Sequence, residues 1–208
     1  MSGAVALAPD VSKWEAWSPD QVGDILASVD APWYVAGGWA IDLFLGGQRR
    51  EHGDLEIAVP ASRFDQVTSA LSAYELYAVG DGEASPLFEG GDAILETTHQ
   101  TWVREPAVDR WRLDVFREPS DDTDWIFRRD GSIRLPHGRT IRRTVRQIPY
   151  GSPEVILLFK ASAADEEKHA DDFAAVLPLL GAERRRWLAA ALAHVHPGHP
   201  WLDDLLGE

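Results

Sequence analysis

The sequence predicts an α+β protein. Strands and helices are both expected over most of the chain, and only helices are expected in its C-terminal part. In the first part, short apolar runs with strand alternation lie between segments of helical spacing. From residue 153 to residue 195 the apolar residues recur at helical spacing, with breaks near Ala164 and at Gly181. We therefore expect two domains, an α+β domain over residues 1–150 and a helical domain over residues 151–208.

The first elements meet at a pair of glycines. Ser18 and Pro19 are typical of a helix start, and "DQVGDILASV" follows them with helical spacing. "PWYVAG" predicts a short buried strand that ends at Gly37 and Gly38, and "WAIDLFL" then resumes helical spacing. The glycine pair is therefore expected at a strand-to-helix turn.

The next strand is predicted by "DLEIAVP", in which apolar and polar residues alternate. Because side chains alternate across a strand, Asp54 and Glu56 are expected to point to the same side, away from the apolar face. Ser62 is expected to cap a further helix. Four more strands are predicted by "ELYAV", "AILETTHQTWV", "RWRLDVFRE" and "WIFRRDGSIRL", the last with a hairpin turn at Asp130–Gly131.

Composition and net charge limit the classes of partner that the protein is expected to bind. The 208 residues have a formal net charge of -14 and no cysteine, which excludes disulfides and cysteine metal sites. This charge argues against nucleic acid, which is bound by clustered Lys and Arg, and suits a cationic small molecule or simply a solvated acidic surface. The sequence shows no signal peptide pattern and no apolar run of membrane-spanning length, so we expect a cytoplasmic protein without a membrane partner.

The glycine pair and the two carboxylates point to phosphate chemistry. A glycine turn at a helix start offers unobstructed N–H groups and the positive end of the helix dipole, which favour a phosphate. Two carboxylates two residues apart can hold a hard cation such as Mg²⁺, which is usually shared with substrate phosphates. Taken singly, each feature is more often a plain turn or a solvated strand face. Together they indicate nucleotidyl or phosphoryl transfer.

Such a metal site needs a third carboxylate on a neighbouring strand. Asp114 in "RWRLDVF" is the best candidate, because its neighbours are apolar and it faces the other way. The alternative is that Asp114 is an exposed strand residue paired with Arg112. Glu96 and Glu118 remain rival candidates.

Several segments resemble the antibiotic nucleotidyltransferases. These are "GGWAIDLFLG", "RREHGDLEIAV", "LDVF", "RRDGSIRLP", "IPYGSPEVILLFKA" and "KHADDFAAVLPLL", which occur in the expected order. The resemblance is to the aminoglycoside 2''-adenylyltransferase-like and lincosamide nucleotidyltransferase group of the DNA polymerase β-like nucleotidyltransferase superfamily. It implies a mixed sheet with helices, as the nucleotidyltransferase domain, and a C-terminal helical bundle. It also implies Mg²⁺-dependent transfer of a nucleoside monophosphate, AMP from ATP, to an antibiotic hydroxyl, with release of pyrophosphate.

The resemblance assigns site residues. Asp54, Glu56 and Asp114 would be the catalytic and metal-binding carboxylates, with Asp114 also the base toward the acceptor hydroxyl. Close relatives usually have Asp at the position of Glu56. The residues implied at the nucleotide are the glycine pair, its neighbour and two cations: Gly37, Gly38, Trp39, Arg50 and Lys160.

Some of these residues have a plain alternative. Arg50 could be an exposed loop charge, and Lys160 could pair with Asp171 or Asp172. His52 is expected to be structural rather than a metal ligand, and Asp42 is expected to support the glycine turn.

The expected acceptor is a cationic antibiotic, an aminoglycoside, held by acidic side chains. Glu89, Asp92 and Glu96 are the candidates for that contact. Three alternatives stay open: a lincosamide as acceptor, a small-molecule nucleotidyltransferase of metabolism, and a catalytically silent relative that binds nucleotide or a partner protein. The oligomeric state is left open.

Overall fold

The computed structural model describes residues 8–87 and 94–207. Within these ranges the strands are β1 (Tyr34–Val35), β2 (Glu56–Pro60), β3 (Glu75–Gly80), β4 (Glu83–Pro86), β5 (Gln100–Glu105), β6 (Arg110–Glu118), β7 (Asp124–Ile126), β8 (Arg134–Pro136), β9 (Ile141–Arg143) and β10 (Pro149–Gly151). The α-helices are α1 (Pro19–Ile25), α2 (Gly37–Leu45), α3 (Phe64–Ala70), α4 (His137–Thr140), α5 (Pro153–Lys160), α6 (Glu167–Val176), α7 (Ala182–Val195) and α8 (Trp201–Leu206). In neither range is a helix long and apolar enough to cross a membrane.

The sheet is mixed, which confirms the α+β class. Its eight strands run in the order β4-β3-β5-β6-β2-β1-β10-β9, and β7 and β8 form a separate two-stranded ribbon. β2 is parallel to β6 and β1 is parallel to β10, whereas the other neighbours are antiparallel. The centre of the sheet is therefore made of strands that are distant in sequence.

Local sequence signals explain most of the elements. Ser18 and Gln21 form a reciprocal capping box at the start of α1, as the Ser-Pro pair predicted. β6 covers the whole segment "RWRLDVFRE", as predicted. The C-terminal helices break after residue 163 and at Gly181, close to the predicted positions.

Three predictions about local structure were wrong. Asp54 precedes β2 and is exposed, so it is not a strand residue. "AILETTHQTWV" forms a strand only from Gln100, because residues 94–97 are helical and the Thr98 hydroxyl donates to the Ile94 carbonyl at 2.7 Å. Ser62 lies within a 3-10 turn and does not cap α3, whose N-cap position is Arg63.

One apolar core runs through the molecule. It includes Ile57 and Val115 from the sheet together with Leu157 and Leu188 from the C-terminal helices. β10 lies in the sheet between β1 and β9 and leads directly into α5, so the predicted boundary at residue 150 falls within a strand. The division into two domains stays a prediction.

Candidate active site

Two carboxylates stand side by side at the centre of the sheet. Glu56 begins β2 and is in register with Asp114 on β6. Neighbouring strands lie about 4.8 Å apart, and residues in register on parallel strands present their side chains to the same face. Asp54, two residues before Glu56, remains exposed at the end of the preceding loop.

Asp114 is a buried carboxylate with an incomplete set of partners. It is 4% exposed, and its Oδ2 accepts a hydrogen bond from Gln100 Nε2 at 2.9 Å. Its Oδ1 is buried and has no hydrogen bond of good geometry among the described residues, although the nearby Trp102 side chain lowers the pKa of Asp114 as a donor would. Burial, and then the charge of Glu56, raise the pKa of Asp114 well above its usual value. The alternative of an exposed residue paired with Arg112 is wrong.

Arg112 pairs instead with two other carboxylates. Its Nε lies 2.8 Å from Glu105 and its Nη1 lies 3.3 Å from Glu15. Arg112 is therefore not the partner of Asp114, whose charge acts instead on Arg117 further along β6.

Glu56 is held in a similar environment. Burial, followed by the negative charge of Asp54, raises the pKa of Glu56 from 4.5 to about 7, although Lys160 and Arg128 act in the opposite direction. Asp54 also raises the pKa of Asp114. The three carboxylates thus repel one another, and a bound cation would relieve this repulsion.

The carboxylate oxygens of this site are ligands of the kind that a hard cation binds. The unpartnered Oδ1 of Asp114 and the raised pKa values of Glu56 and Asp114 mark a place where positive charge is missing. The described residues contain no group of three acidic or His side chains arranged to hold a metal ion. Because Asp54 lies outside the strand, convergence of all three carboxylates on Mg²⁺ stays a prediction.

The glycine pair makes room for side chains from β2 and from the loop before it. Gly37 has φ +57°, and a Cβ there would overlap the carboxylate of Glu56. A Cβ on Gly38 would overlap the guanidinium of Arg50 and lie 2.6 Å from Cε1 of His52. The N-cap residue of α2, Ala36, makes no side-chain cap. The first N–H groups of α2 are therefore left without a side-chain acceptor, as a phosphate site requires.

The two predicted nucleotide-binding cations share one buried carboxylate. Lys160 Nζ lies 3.0 Å from Asp172 Oδ2, and Arg50 Nη2 lies 3.6 Å from the same atom. Of the two partners weighed for Lys160, the structure selects Asp172. The pairing ties the end of α5 to α6 and to the loop that carries Arg50.

A second cluster supports the glycine turn from behind. His52 Nε2 lies 2.6 Å from Asp42 Oδ2, and both side chains are buried. The Asp42 carboxylate also accepts a hydrogen bond from the Arg49 N–H at 3.2 Å. The ring of Trp39 lies 4.6 Å from that of His52. These contacts suit the structural role expected for His52.

A cavity of about 320 Å³ opens beside Glu56. The sheet and the start of α2 form one wall, and the C-terminal helices and the β7–β8 loop form the other. Of the residues predicted at the site, Gly37, Glu56 and Lys160 line it, whereas Asp54, Asp114, Gly38, Trp39 and Arg50 do not. The remaining lining residues are Tyr34, Ala36, Phe116, Glu118, Arg128, Arg129, Ile156, Phe159, Ser162, Ala163 and His169.

The rival third carboxylates are placed differently from Asp114. Glu118 lines the cavity, but its Oε2 already accepts hydrogen bonds from Tyr34 Oη and Trp125 Nε1, each at 2.5 Å. Glu96 lines a second cavity of about 530 Å³ beside Arg117. The other two acids proposed for the acceptor, Glu89 and Asp92, lie outside the described residues.

Sequence reasoning missed two arginines in the cavity wall. Arg128 and Arg129 belong to the quoted segment "RRDGSIRLP", but that segment was used for a strand prediction and for family resemblance, not for the site. Two adjacent arginines ahead of an Asp-Gly turn were the available signal. Both also line the second cavity, so they stand between the two spaces.

Sequence comparison finds relatives over the N-terminal part of the chain. A family model described as aminoglycoside-2''-adenylyltransferase matches residues 20–85. A 2''-aminoglycoside nucleotidyltransferase of Escherichia coli is 30% identical over 84 residues, which are 39% of this chain and 48% of the relative. One of Klebsiella pneumoniae is 29% identical over 87 residues, 40% of this chain and 49% of the relative. The chain thus spans about half the length of the curated relatives it matches.

Structural comparison extends over more of the chain. ANT(2'')-Ia in complex with adenylyl-2''-tobramycin has 20% sequence identity and a TM-score of 0.57, covering 85% of this chain and 97% of that one. The lincosamide antibiotic adenylyltransferase LnuA, lincomycin-bound, has 18% identity and a TM-score of 0.54, covering 77% and 95%. At these identities the similarity establishes the shared fold.

Proposed function

We propose that this chain, which belongs to the antibiotic nucleotidyltransferase family, transfers a nucleoside monophosphate from a nucleoside triphosphate to a hydroxyl of an antibiotic. One observation supports this most directly. Glu56 and Asp114 stand in register on parallel strands, beside the uncapped start of α2 and a cavity of about 320 Å³. This places carboxylates for a cation next to N–H groups for a phosphate.

The residues divide the chemistry between them. Glu56 and Asp114, joined by Asp54, would hold Mg²⁺, which when bound offsets negative charge on the phosphate oxygens. Gly37 at the start of α2 would receive a phosphate through backbone N–H groups. The Oδ1 of Asp114 would accept the proton of the acceptor hydroxyl, because it has no hydrogen bond of its own among the described residues.

The proposed step is an in-line displacement at the α-phosphorus. The acceptor oxygen forms a bond to that phosphorus while its proton passes to Asp114. The bond from the α-phosphorus to the bridging oxygen breaks, and the electron pair leaves with pyrophosphate. The donor is proposed to be ATP, because the matching family model and both structural neighbours are described by adenylyl transfer.

The acceptor is proposed to be an aminoglycoside, on the basis of the matching family model and the curated relatives. A lincosamide is the second candidate, for a specific reason. The second cavity contains Arg117, Arg128 and Arg129 beside Glu96, an environment unfavourable to a polycation. A lincosamide has a single amine and would meet less repulsion there.

The direct test is incubation of the purified protein with Mg²⁺, each nucleoside triphosphate, and tobramycin or lincomycin. Mass spectrometry should show one drug gaining a nucleoside monophosphate while pyrophosphate accumulates. The drug that gains it decides between the two acceptors. If neither drug is modified with any triphosphate, the hypothesis of antibiotic modification is lost. The hypothesis of a metabolic enzyme or of a catalytically silent relative then replaces it.

A further inference from the structure

Arg128 and Arg129 are the part of the cavity wall that the proposed function leaves unused. They lie in the loop between β7 and β8 and face the space shared by Gly37 and Glu56. Two adjacent cations thus line the same cavity as the carboxylates of Glu56 and Glu118.

Arg128 is held in place by aromatic rings. Its guanidinium lies 5.0 Å from the ring centre of Phe116 and 5.2 Å from that of Phe159. Such stacking covers the faces of the guanidinium and leaves its N–H groups at the edge. The Nη1 of Arg128 is buried and has no hydrogen-bond acceptor among the described residues. It is therefore a fixed donor that lacks a partner.

Arg129 is anchored by neutral oxygens. Its guanidinium lies 5.5 Å from the ring centre of Phe159, and its Nη1 donates to the Phe159 carbonyl and the Ser162 hydroxyl at 3.0 and 2.8 Å. In the described ranges no carboxylate oxygen lies within the 4.0 Å of an ion pair from Arg128 or Arg129. Neither arginine therefore forms an ion pair in this part of the chain, although the charge of Arg128 lowers the pKa of Glu56 and of Glu118.

Two other charged side chains of this wall already have partners. Lys160 pairs with Asp172, and Glu118 accepts hydrogen bonds from Tyr34 and Trp125. Arg128 and Arg129 are therefore the cations of the described wall that form no ion pair. In a chain of net charge -14, two unpaired arginines at one cavity indicate an anionic ligand.

The spacing of residues along β6 indicates which part of the ligand Arg128 and Arg129 contact. Asp114 and Phe116 lie on the same face of β6, two residues and so about 7 Å apart. Arg128 stacks over Phe116, and so lies further along this face than Glu56 and Asp114, where the α-phosphate would react. The phosphates beyond the α position would extend toward it.

We infer that Arg128 and Arg129 bind the terminal phosphates of the nucleoside triphosphate and the pyrophosphate formed from them. This rests on the proposed function, and it assigns to the β7–β8 loop the role that family resemblance gave to Arg50 and Lys160. Arg128 forms charge-assisted hydrogen bonds through the guanidinium edge that its aromatic neighbours orient. Arg129 adds a second charge from the rim.

The test is calorimetric binding of inorganic tripolyphosphate with Mg²⁺, which needs neither nucleobase nor acceptor. We expect R128Q and R129Q each to raise the Kd by about tenfold or more, as loss of a charge-assisted hydrogen bond does. R142Q is the matched control, since Arg142 also lies over an aromatic ring, 5.7 Å from the centre of Phe44, but outside the cavity. It should leave the Kd unchanged.

R128K keeps the charge and covers the case in which R128Q does not fold. It should bind more tightly than R128Q and more weakly than the unmodified protein, because lysine lacks the planar fork. The inference would be overturned if R128K and R129Q bound tripolyphosphate with the same Kd as the protein without substitutions. It would also be overturned if the protein without substitutions did not bind tripolyphosphate. Arginine-dependent binding without modification of any antibiotic would keep the inference and remove the proposed function.

Discussion

Two buried aspartates on either side of the glycine turn differ in what surrounds them. Asp42 is 2% exposed, and it accepts hydrogen bonds from His52 and from the Arg49 N–H. Asp114 is 4% exposed, stands beside another carboxylate, and has an oxygen without a donor. Burial alone therefore does not distinguish them. The difference is whether the protein itself satisfies the charge, and it separates a structural carboxylate from one arranged for a ligand.

The largest expected effect is on transfer by D114N. The amide can neither accept the acceptor proton nor hold a cation as a carboxylate does, so we expect the rate of transfer to fall by about 10²–10⁴-fold. Because Asp114 is buried beside Glu56 rather than at the surface, the same change removes a repulsion. In metal-free buffer at pH 7 the thermal midpoint should therefore rise.

Mass-spectrometric assays and thermal scans on the same preparation would measure both effects. Transfer at the unmodified rate in D114N would refute the assignment of Asp114 as base and ligand. A lowered midpoint would contradict the described environment.

The next effect is the pH dependence that Glu56 gives to stability. Its pKa is about 7 in the folded protein, against the ordinary 4.5 of a glutamate, so between these values the folded state holds a proton that the unfolded state has released. Stability from this group is fully present below pH 4.5 and is lost as pH rises to about 7. The ionised form is disfavoured by up to about 3 kcal/mol.

Chemical denaturation without metal at several pH values, with E56Q as the comparison, measures this contribution. E56Q should be the more stable protein above pH 7 and should lose less stability between pH 4.5 and pH 7. Parallel pH curves for the two proteins would contradict the raised pKa. Since a cation binds the ionised carboxylate, Mg²⁺ binding should strengthen over the same pH interval.

The smallest expected effect is on the stability contributed by Asp42, the other aspartate of the comparison. D42N keeps an oxygen for His52 but weakens a charge-assisted hydrogen bond, so we expect a loss of about 1–2 kcal/mol in the free energy of unfolding. The sign is opposite to that of D114N. Denaturant titration of both variants in the same buffer would check it, and a gain in stability for D42N would abolish the distinction.

Sequence reasoning succeeded where the signal lies within one element. The capping residues of α1, the strand alternation of β6 and the apolar spacing of the C-terminal helices are local patterns, and all three elements were correctly predicted. It failed at "AILETTHQTWV", where apolar and threonine content favoured a strand while local hydroxyl bonds accompany a helical turn at residues 94–97.

The site divides in the same way. Gly37, Glu56 and Asp114 could be chosen from sequence because their residue types and spacing suggest phosphate and cation chemistry. The pairing of Lys160 with Asp172 and the position of Arg128 and Arg129 depend on how α5, α6 and the β7–β8 loop pack against the sheet.

By itself, the sequence determined α1, β6 and the C-terminal helical segments, and which carboxylates were available, because capping, periodicity and residue chemistry act over a few neighbouring residues. Only the tertiary structure decided which of those charges find partners. Glu56 and Asp114 meet through pairing of β2 with β6, and Arg128 comes to Phe159 through the fold of the β7–β8 loop onto α5. Charge compensation depends on distances between residues far apart in the chain, and packing of the core sets those distances.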